Sequence, residues 1–431
     1  MQPRKRRTAA TGAVAALAFS TLVACGGESG PPALTWYINP DAGGQATIAE
    51  KCTEDAAGAY TIETALLPRD APGQREQLVR RLAAEDTSID IMSLDPPYIP
   101  EFAEAGYLAP VPPEVAEETT DGVVDGALAG ATWRDELVTV PFWANTQILW
   151  YRVAVAEEAG LDMEEPVTWE QLIEAAETTE TTIGVQGTRA ESLTVWINAL
   201  IESAGGTILE NPEAAAEDLT LGIDSEAGTA AAQVIKDIAD TGVGGPALST
   251  ATEDSSATLF EGDSAGFQVN YPFVWPRGLG AVEAGTLEQD VIDDYGWAQY
   301  PTVTEGEESR PPYGGINIGV SAVSENVDES YEAVRCIVSE ENQKEYFITN
   351  GNPAAKAAVF DDPEVQEAFP MAEVIRESLE AAAPRPQTPY YNEISSGLQR
   401  TWHPPESIDP EGTPASSQEL ITAVLKGDDL L

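Results

Sequence analysis

The chain has 431 residues and carries 22 Lys and Arg against 73 Asp and Glu, a formal net charge of −51, with 42% apolar and 22% charged residues. That length suits two globular domains, and the apolar share excludes a disordered chain or a small disulfide scaffold. The acidic excess is spread along the chain, so it reads as a solvated surface suited to a salty or extracellular medium, and it excludes attraction to nucleic acid or anionic lipid as a binding principle.

The N-terminus reads as an address. Arg4-Lys5-Arg6-Arg7 precedes an apolar stretch from about Ala9 to Ala24, which ends in Leu22-Val23-Ala24-Cys25-Gly26-Gly27. A basic start, a short apolar stretch and small residues before a cleavage point make an export signal, too short for a membrane span. Leu-Val-Ala-Cys looks like a bacterial lipobox. Residues 1–24 are then a signal peptide, Cys25 is the lipidated first residue of the mature chain, and 25–32 form a tether that holds the protein at the outer face of the cytoplasmic membrane. Two further cysteines, Cys52 and Cys336, remain, and export to an oxidising compartment predicts one disulfide between them. With a single histidine, His403, and no Cys/His cluster, no metal and no other cofactor is expected, and a His-based nucleophilic triad has no base.

Folding is expected to start near Leu34. Residues 34–38 predict a strand, 39–45 a loop, and the stretch through Ile48 and Cys52 a helix. Residues 60–64 predict a second strand, 74–85 an amphipathic helix with Leu78 and Leu82 inward, and 89–94 a third strand. This alternation implies a mainly parallel sheet, in which ligands bind at the carboxyl ends of strands, beside Asn39, Gln45 and Asp95. Residues 138–152 are two β-rich runs joined by a polar step, which predicts a strand leaving one domain for the next. Thr168-Trp169-Glu170-Gln171 fits a capping box opening a helix, with Val167 and Leu172 as its staple.

A helix is predicted over about 224–240, another before Phe260, and a strand over 265–270 that runs into Tyr271-Pro272-Phe273-Val274-Trp275. Gly314-Gly315 leads into a strand ending at Val320, and the double glycine suggests a close backbone approach. Helices are predicted at 330–338, 341–349 and from Pro363. A Pro-rich link, 384–391, precedes a helix at 393–401, and Ser416 with Glu419 predicts a capping box for the last one.

Three groups of residues stand out: Asn39, Gln45 and Asp95; Trp143 and Asn145; and Glu253, Tyr271 and Trp275 with Gly315 and Arg385. Carboxylates, amides and an arginine offer directional hydrogen bonds to hydroxyls, and aromatic faces stack on the apolar faces of sugar rings. That is sugar-binding chemistry. Asp95 and Glu253 could alternatively be the acid and base of a glycoside hydrolase, but with 73 acidic residues almost any two can be nominated.

Residues 74–95, with 101–108, 140–146, 270–275 and Arg385-Pro386 followed by Pro389-Tyr390-Tyr391, resemble the extracellular solute-binding proteins of sugar-importing ABC transporters, and most closely the actinobacterial trehalose-binding lipoproteins. The resemblance covers nearly all of the mature chain. It implies an α/β, two-lobed, periplasmic-binding-protein-like fold with a hinge between lobes, residues 33–145 plus 302–360 forming the N-terminal lobe and 146–301 plus 361–431 the C-terminal one. It also implies a non-catalytic, monomeric receptor that binds a disaccharide, trehalose first, and passes it to ABC permease subunits, with the membrane touched only through the lipid. Asp95 and Asn145 would accept sugar hydroxyls, Trp143 would lie beside Asn145, Tyr271 and Trp275 would form a stacking wall, and Arg385 would reach in from the Pro-rich link. Gln45 and Glu253 transfer less directly. Ile316 stands where some relatives have Trp, which leaves maltose or maltodextrin as an alternative, with Trp36, Trp133 and Trp297 as further aromatics for a longer groove. An adhesin, which would need no closing cleft, is the remaining alternative.

Overall fold

A computed structural model describes residues 30–262 and 264–431. The expected signal peptide, the lipidation site Cys25 and most of the tether lie outside the described residues.

The strands are β1 (Ala33–Ile38), β2 (Thr61–Leu66), β3 (Ile91–Leu94), β4 (Val140–Thr146), β5 (Ile148–Arg152), β6 (Thr182–Gly184), β7 (Ala265–Asn270), β8 (Tyr295–Ala298), β9 (Pro312–Val320) and β10 (Ala383–Pro384), beside a two-residue hairpin at 132–137. They form two separate sheets. In the first, β1 lies parallel between β2 and β3, as the βα alternation predicts, while β9 runs antiparallel to both β3 and β4 and β10 pairs parallel with β9. In the second, β5 is antiparallel to β8 and β7, and β6 is parallel to β7. The chain passes from one sheet to the other between β4 and β5 through the single residue Gln147. It returns between β8 and β9, and β10 belongs to the first sheet although it lies within 361–431, which was expected to fall wholly in the second lobe.

Each sheet has its own core. Helix Gly44–Asp55 and helix Val327–Ile337 cover the first, where Trp36, Phe142, Ile318 and Val334 are buried. Helices Trp169–Thr178, Glu191–Ser203 and Glu226–Thr241 cover the second around Trp169, Trp196 and Phe267. A third cluster, with Trp150, Phe260, Tyr313, Phe347 and Phe369, draws on strands of both sheets and packs the seam between them. The Cys52–Cys336 disulfide is present and joins the two helices over the first sheet across 284 residues of sequence. The whole second sheet lies inside the loop it closes.

Local chemistry sets the element ends. Thr168 and Gln171 form the reciprocal capping box, and Val167 and Leu172 are buried beside it. Helix Ala71–Leu82 starts three residues before its expected position because the Asp70 carboxylate accepts the Gly73 N–H and Pro72 suits the first turn. Strand β3 begins two residues later than expected, just after Asp90, whose buried carboxylate accepts the Thr35 N–H and bonds from Ser324 and Asn326. The last helix runs Thr413–Leu425 from Gly412, with Pro414 in its first turn, so Ser416 is already helical and the expected Ser416–Glu419 box does not form.

Candidate functional site

A cleft of about 640 Å³ opens between the two sheets. Asn39, Asp95, Tyr271 and Arg385 each follow the last residue of a strand, β1, β3, β7 and β10 respectively, so four strand ends converge on it. Trp143 and Asn145 enter from β4, Gly315 and Ile316 from β9, and Glu253 from the first turn of helix Glu253–Phe260. Eight of the ten expected ligand-binding residues therefore line one cavity.

The wall from the first sheet is shaped by backbone. Gly315 has φ +122°, and a Cβ there would lie 2.2 Å from the Trp143 carbonyl oxygen and 2.9 Å from the Ala144 Cα. Only glycine lets β9 approach β4 this closely. Asn39 is held by a buried relay: Trp36 Nε1 donates to Ser93 Oγ (3.0 Å), Ser93 Oγ donates to Gln45 Oε1 (3.1 Å), and Gln45 Nε2 donates to the Asn39 carbonyl (2.9 Å). Gln45 is fully buried and does not line the cleft; it fixes the loop that carries Asn39. Asn39 Oδ1 and Trp143 Nε1 are buried without a hydrogen-bond partner among the described residues, one an acceptor and one a donor. Such atoms are costly to leave unpaired unless a ligand or water meets them.

The wall from the second sheet is set by buried amides. Gln147 Nε2 donates to Gln186 Oε1 (2.9 Å), and Gln186 Nε2 donates to the Val269 carbonyl (2.8 Å). Asn270 donates to the Glu253 carbonyl and to Gln268 Oε1, both at 3.0 Å, and accepts the Tyr271 N–H at 2.9 Å. One buried side chain thus orients both Glu253 and Tyr271. Burial pushes the Glu253 carboxyl above the usual range, opposed by its own backbone N–H and by Ser192, and burial likewise raises the Tyr271 phenol. Trp275 lies elsewhere. It sits in helix Val274–Glu283, donates to the Ala368 carbonyl at 2.9 Å and meets Trp297 edge-on at 5.8 Å, so the expected stacking wall consists of Tyr271 alone. Trp36 and Trp133 are core residues, and Trp297 packs on Trp275, which leaves none of the three lining the cleft.

The charged floor contains a residue that sequence reasoning missed. Arg385, 6% exposed, donates to both oxygens of Asp95, at 2.5 and 3.1 Å, and to Glu191 Oε1 at 2.7 Å. Glu191 also accepts hydrogen bonds from the Tyr391 hydroxyl and from Ser395 Oγ (2.8 Å). Burial pushes the Glu191 carboxyl up against the pull of Arg385 and these hydroxyls. Burial opposes the Arg385 charge, but Asp95, Tyr391 and Glu191 more than offset it. Glu191 opens a helix, where acidic residues are common, so nothing in its sequence neighbourhood separated it from the other acidic residues. Arg69 and Arg189 also line the cleft, from turns that carry no motif. Among the described residues no group of three His, Cys, Asp or Glu could hold a metal ion, and no helix is long and apolar enough to cross a membrane.

Comparison with known proteins gives the fold a lineage. A family model described as bacterial extracellular solute-binding protein matches residues 67–344, well over half of the chain. Among curated proteins, a probable ABC transporter-binding protein of Deinococcus radiodurans is 22% identical over 353 residues, 78% of this chain and 80% of that protein. Among solved structures, the maltose-bound MalE3 of T. maritima superposes with a TM-score of 0.78 at 23% identity, over 91% of this chain and 99% of that one. The GacH receptor of Streptomyces glaucescens, solved unliganded and with acarbose, gives 0.75 at 20% identity over 93% and 100%. The fold is that of these two-lobed binding proteins.

Proposed function

The chain belongs to the bacterial extracellular solute-binding proteins, which are receptors and not enzymes, and within that family we propose that it captures a disaccharide, trehalose, in the cleft and delivers it to the permease of an ABC importer. The observation that carries this reading is the convergence of Asn39, Asp95, Trp143, Asn145, Glu253, Tyr271, Gly315 and Arg385 on one cavity from seven separate places in the chain. Its size falls within the range of small-molecule sites. Its lining combines the aromatic side chains of Trp143 and Tyr271 with carboxylate, amide and guanidinium groups, the set that matches the apolar faces and hydroxyls of a neutral sugar.

Asp95 is not a free carboxylate, because Arg385 engages both its oxygens. Each oxygen keeps a second lone pair, so it can accept a sugar hydroxyl while Arg385 fixes its direction. Asn39 Oδ1 and Trp143 Nε1 supply the unpaired acceptor and donor. A sugar touching both walls stabilises the closed arrangement in proportion to the contacts it makes only there, and the permease would read that closure. The lipobox at Cys25 supports tethering to the outer face of the cytoplasmic membrane.

Maltose is the second reading, favoured by the likeness to the maltose-bound MalE3 and by Ile316, which lines the cleft with an aliphatic side chain. Thermal unfolding of the lipid-free chain against trehalose, maltose, maltotriose and glucose separates the two. Ligand at a hundred times its dissociation constant adds about 2.7 kcal/mol, a shift of several degrees for lobes of this size. A shift with trehalose alone supports the first reading, and one with maltose and maltotriose supports the second. A flat panel overturns both. With the active sugar, Tyr271→Ala is expected to cost roughly tenfold or more in affinity, as for a central aromatic contact.

A further inference from the structure

We propose that Glu191 is a positioning residue for lobe closure: through Arg385 it ties the second lobe to the first and sets how far the two stand apart before any sugar is bound. The inference goes beyond the sugar reading and does not depend on which solute fills the cleft.

The two carboxylates on Arg385 come from different sheets. Asp95 follows β3 of the first sheet, and Arg385 follows β10, which is paired with β9 of the same sheet. Glu191 begins helix Glu191–Ser203, whose apolar residues fill the core of the second. The Arg385–Asp95 pair is therefore internal to one lobe, and the 2.7 Å bond from Arg385 Nη1 to Glu191 Oε1 crosses between lobes. Glu191 is anchored on its own side by Ser395 Oγ of helix Tyr391–Thr401, and it also accepts the hydroxyl of Tyr391, whose ring is buried among first-lobe residues. That helix packs Ile394 and Leu398 into the second core, while its first residue sets the Tyr391 ring edge-on against Tyr98 of the first lobe at 5.2 Å.

Two carboxylates share one guanidinium at the floor of the cleft. A second buried carboxylate is tolerated only when hydrogen bonds surround it, and Glu191 has three donors. Separation of the lobes would leave Arg385 with Asp95, still paired, and would return Glu191 to water. The tie therefore contributes in the approached arrangement and is absent from the separated one, which is what a closure bias requires. A bond within one lobe could not act in this way.

The test measures interlobe distance in the sugar-free protein, using a pair of spin labels placed one on each lobe at exposed sites outside the cleft. Glu191→Gln keeps the size of the side chain and removes its charge. It is expected to raise the ratio of separated to approached molecules roughly tenfold, as for loss of one charge-assisted hydrogen bond. Tyr391→Phe, which removes a donor to Glu191 at a residue that does not line the cleft, is expected to move the distances in the same direction by less. An unchanged distance distribution in both variants overturns the proposal, even if sugar affinity falls, because Glu191 would then act only as a ligand group. Should Glu191→Gln fail to fold by circular dichroism, Tyr391→Phe and Ser395→Ala decide, and unchanged distances in those two overturn it equally. The readout needs no sugar, so a failure of the trehalose and maltose readings leaves it interpretable.

Discussion

The two walls of the cleft are shaped by different means. The first-sheet wall is built from main chain: strand ends, the close approach of Gly315 to Trp143, and a disulfide that fastens the covering helices. The second-sheet wall is built from side-chain amides, with Gln147, Gln186, Gln268 and Asn270 buried in a hydrogen-bonded group behind Glu253 and Tyr271. The close backbone approach at Gly315 leaves no room for an added atom, whereas the amide network depends on each buried member keeping its partner. The two walls should therefore fail differently.

The largest expected effect is on the first wall. Cys52 and Cys336 close a loop spanning 284 residues, which the chain-entropy model values at about 5.6 kcal/mol. Calorimetry of the protein after reduction and alkylation under denaturing conditions and refolding should show the first lobe melting many degrees lower, as an event separate from the second. A single transition, shifted as a whole, would show the lobes to be one cooperative unit. Next comes Gly315→Ala. The added Cβ meets backbone 2.2 Å away at a positive φ, so a loss of about 2–4 kcal/mol is expected by chemical denaturation, together with loss of sugar binding. Asn270→Ala makes the matching break in the second wall. It leaves the Tyr271 N–H, the Glu253 carbonyl and Gln268 without their partner, at a cost of about 1–3 kcal/mol, and sugar affinity should fall because Glu253 and Tyr271 lose their alignment.

The smallest effect has a sign set by pH. The carboxyl of Glu253 is raised by burial, so its ionised form is disfavoured in the folded protein relative to the unfolded one. Glu253→Gln removes that penalty and should raise the melting temperature at neutral pH, by a gain of up to about 1 kcal/mol. As pH falls through the folded-state pKa towards the ordinary value for Glu, the wild type protonates and recovers stability, and the difference between the two proteins should close. A gap that widens in acid would mean that Glu253 is held ionised by a partner.

Much of this protein was written locally. The strand at 265–270, the Thr168–Gln171 box, the crossing near Gln147 and the pairing of the two cysteines all follow from residues within a few positions of one another or from the compartment that the sequence leads one to expect. Strand ends likewise placed Asn39, Asp95 and Tyr271 at the cleft. Gln45 and Trp275 were misplaced for one shared reason. Gln45 and Asn39 are six residues apart, as Trp275 and Tyr271 are four, and in each pair one residue lines the cleft while the other packs away from it. Helix start points turn such neighbours to different sides, and sequence places those starts only to within a few residues. Glu191 was invisible for a different reason: its role depends on residues 95, 385, 391 and 395 arriving around it, and one carboxylate among 73 carries no mark of that. Short-range hydrogen bonding and side-chain periodicity are properties of neighbouring residues, and so they can be read from sequence. Which charges meet across two lobes depends on long-range packing, and that only the tertiary structure decided.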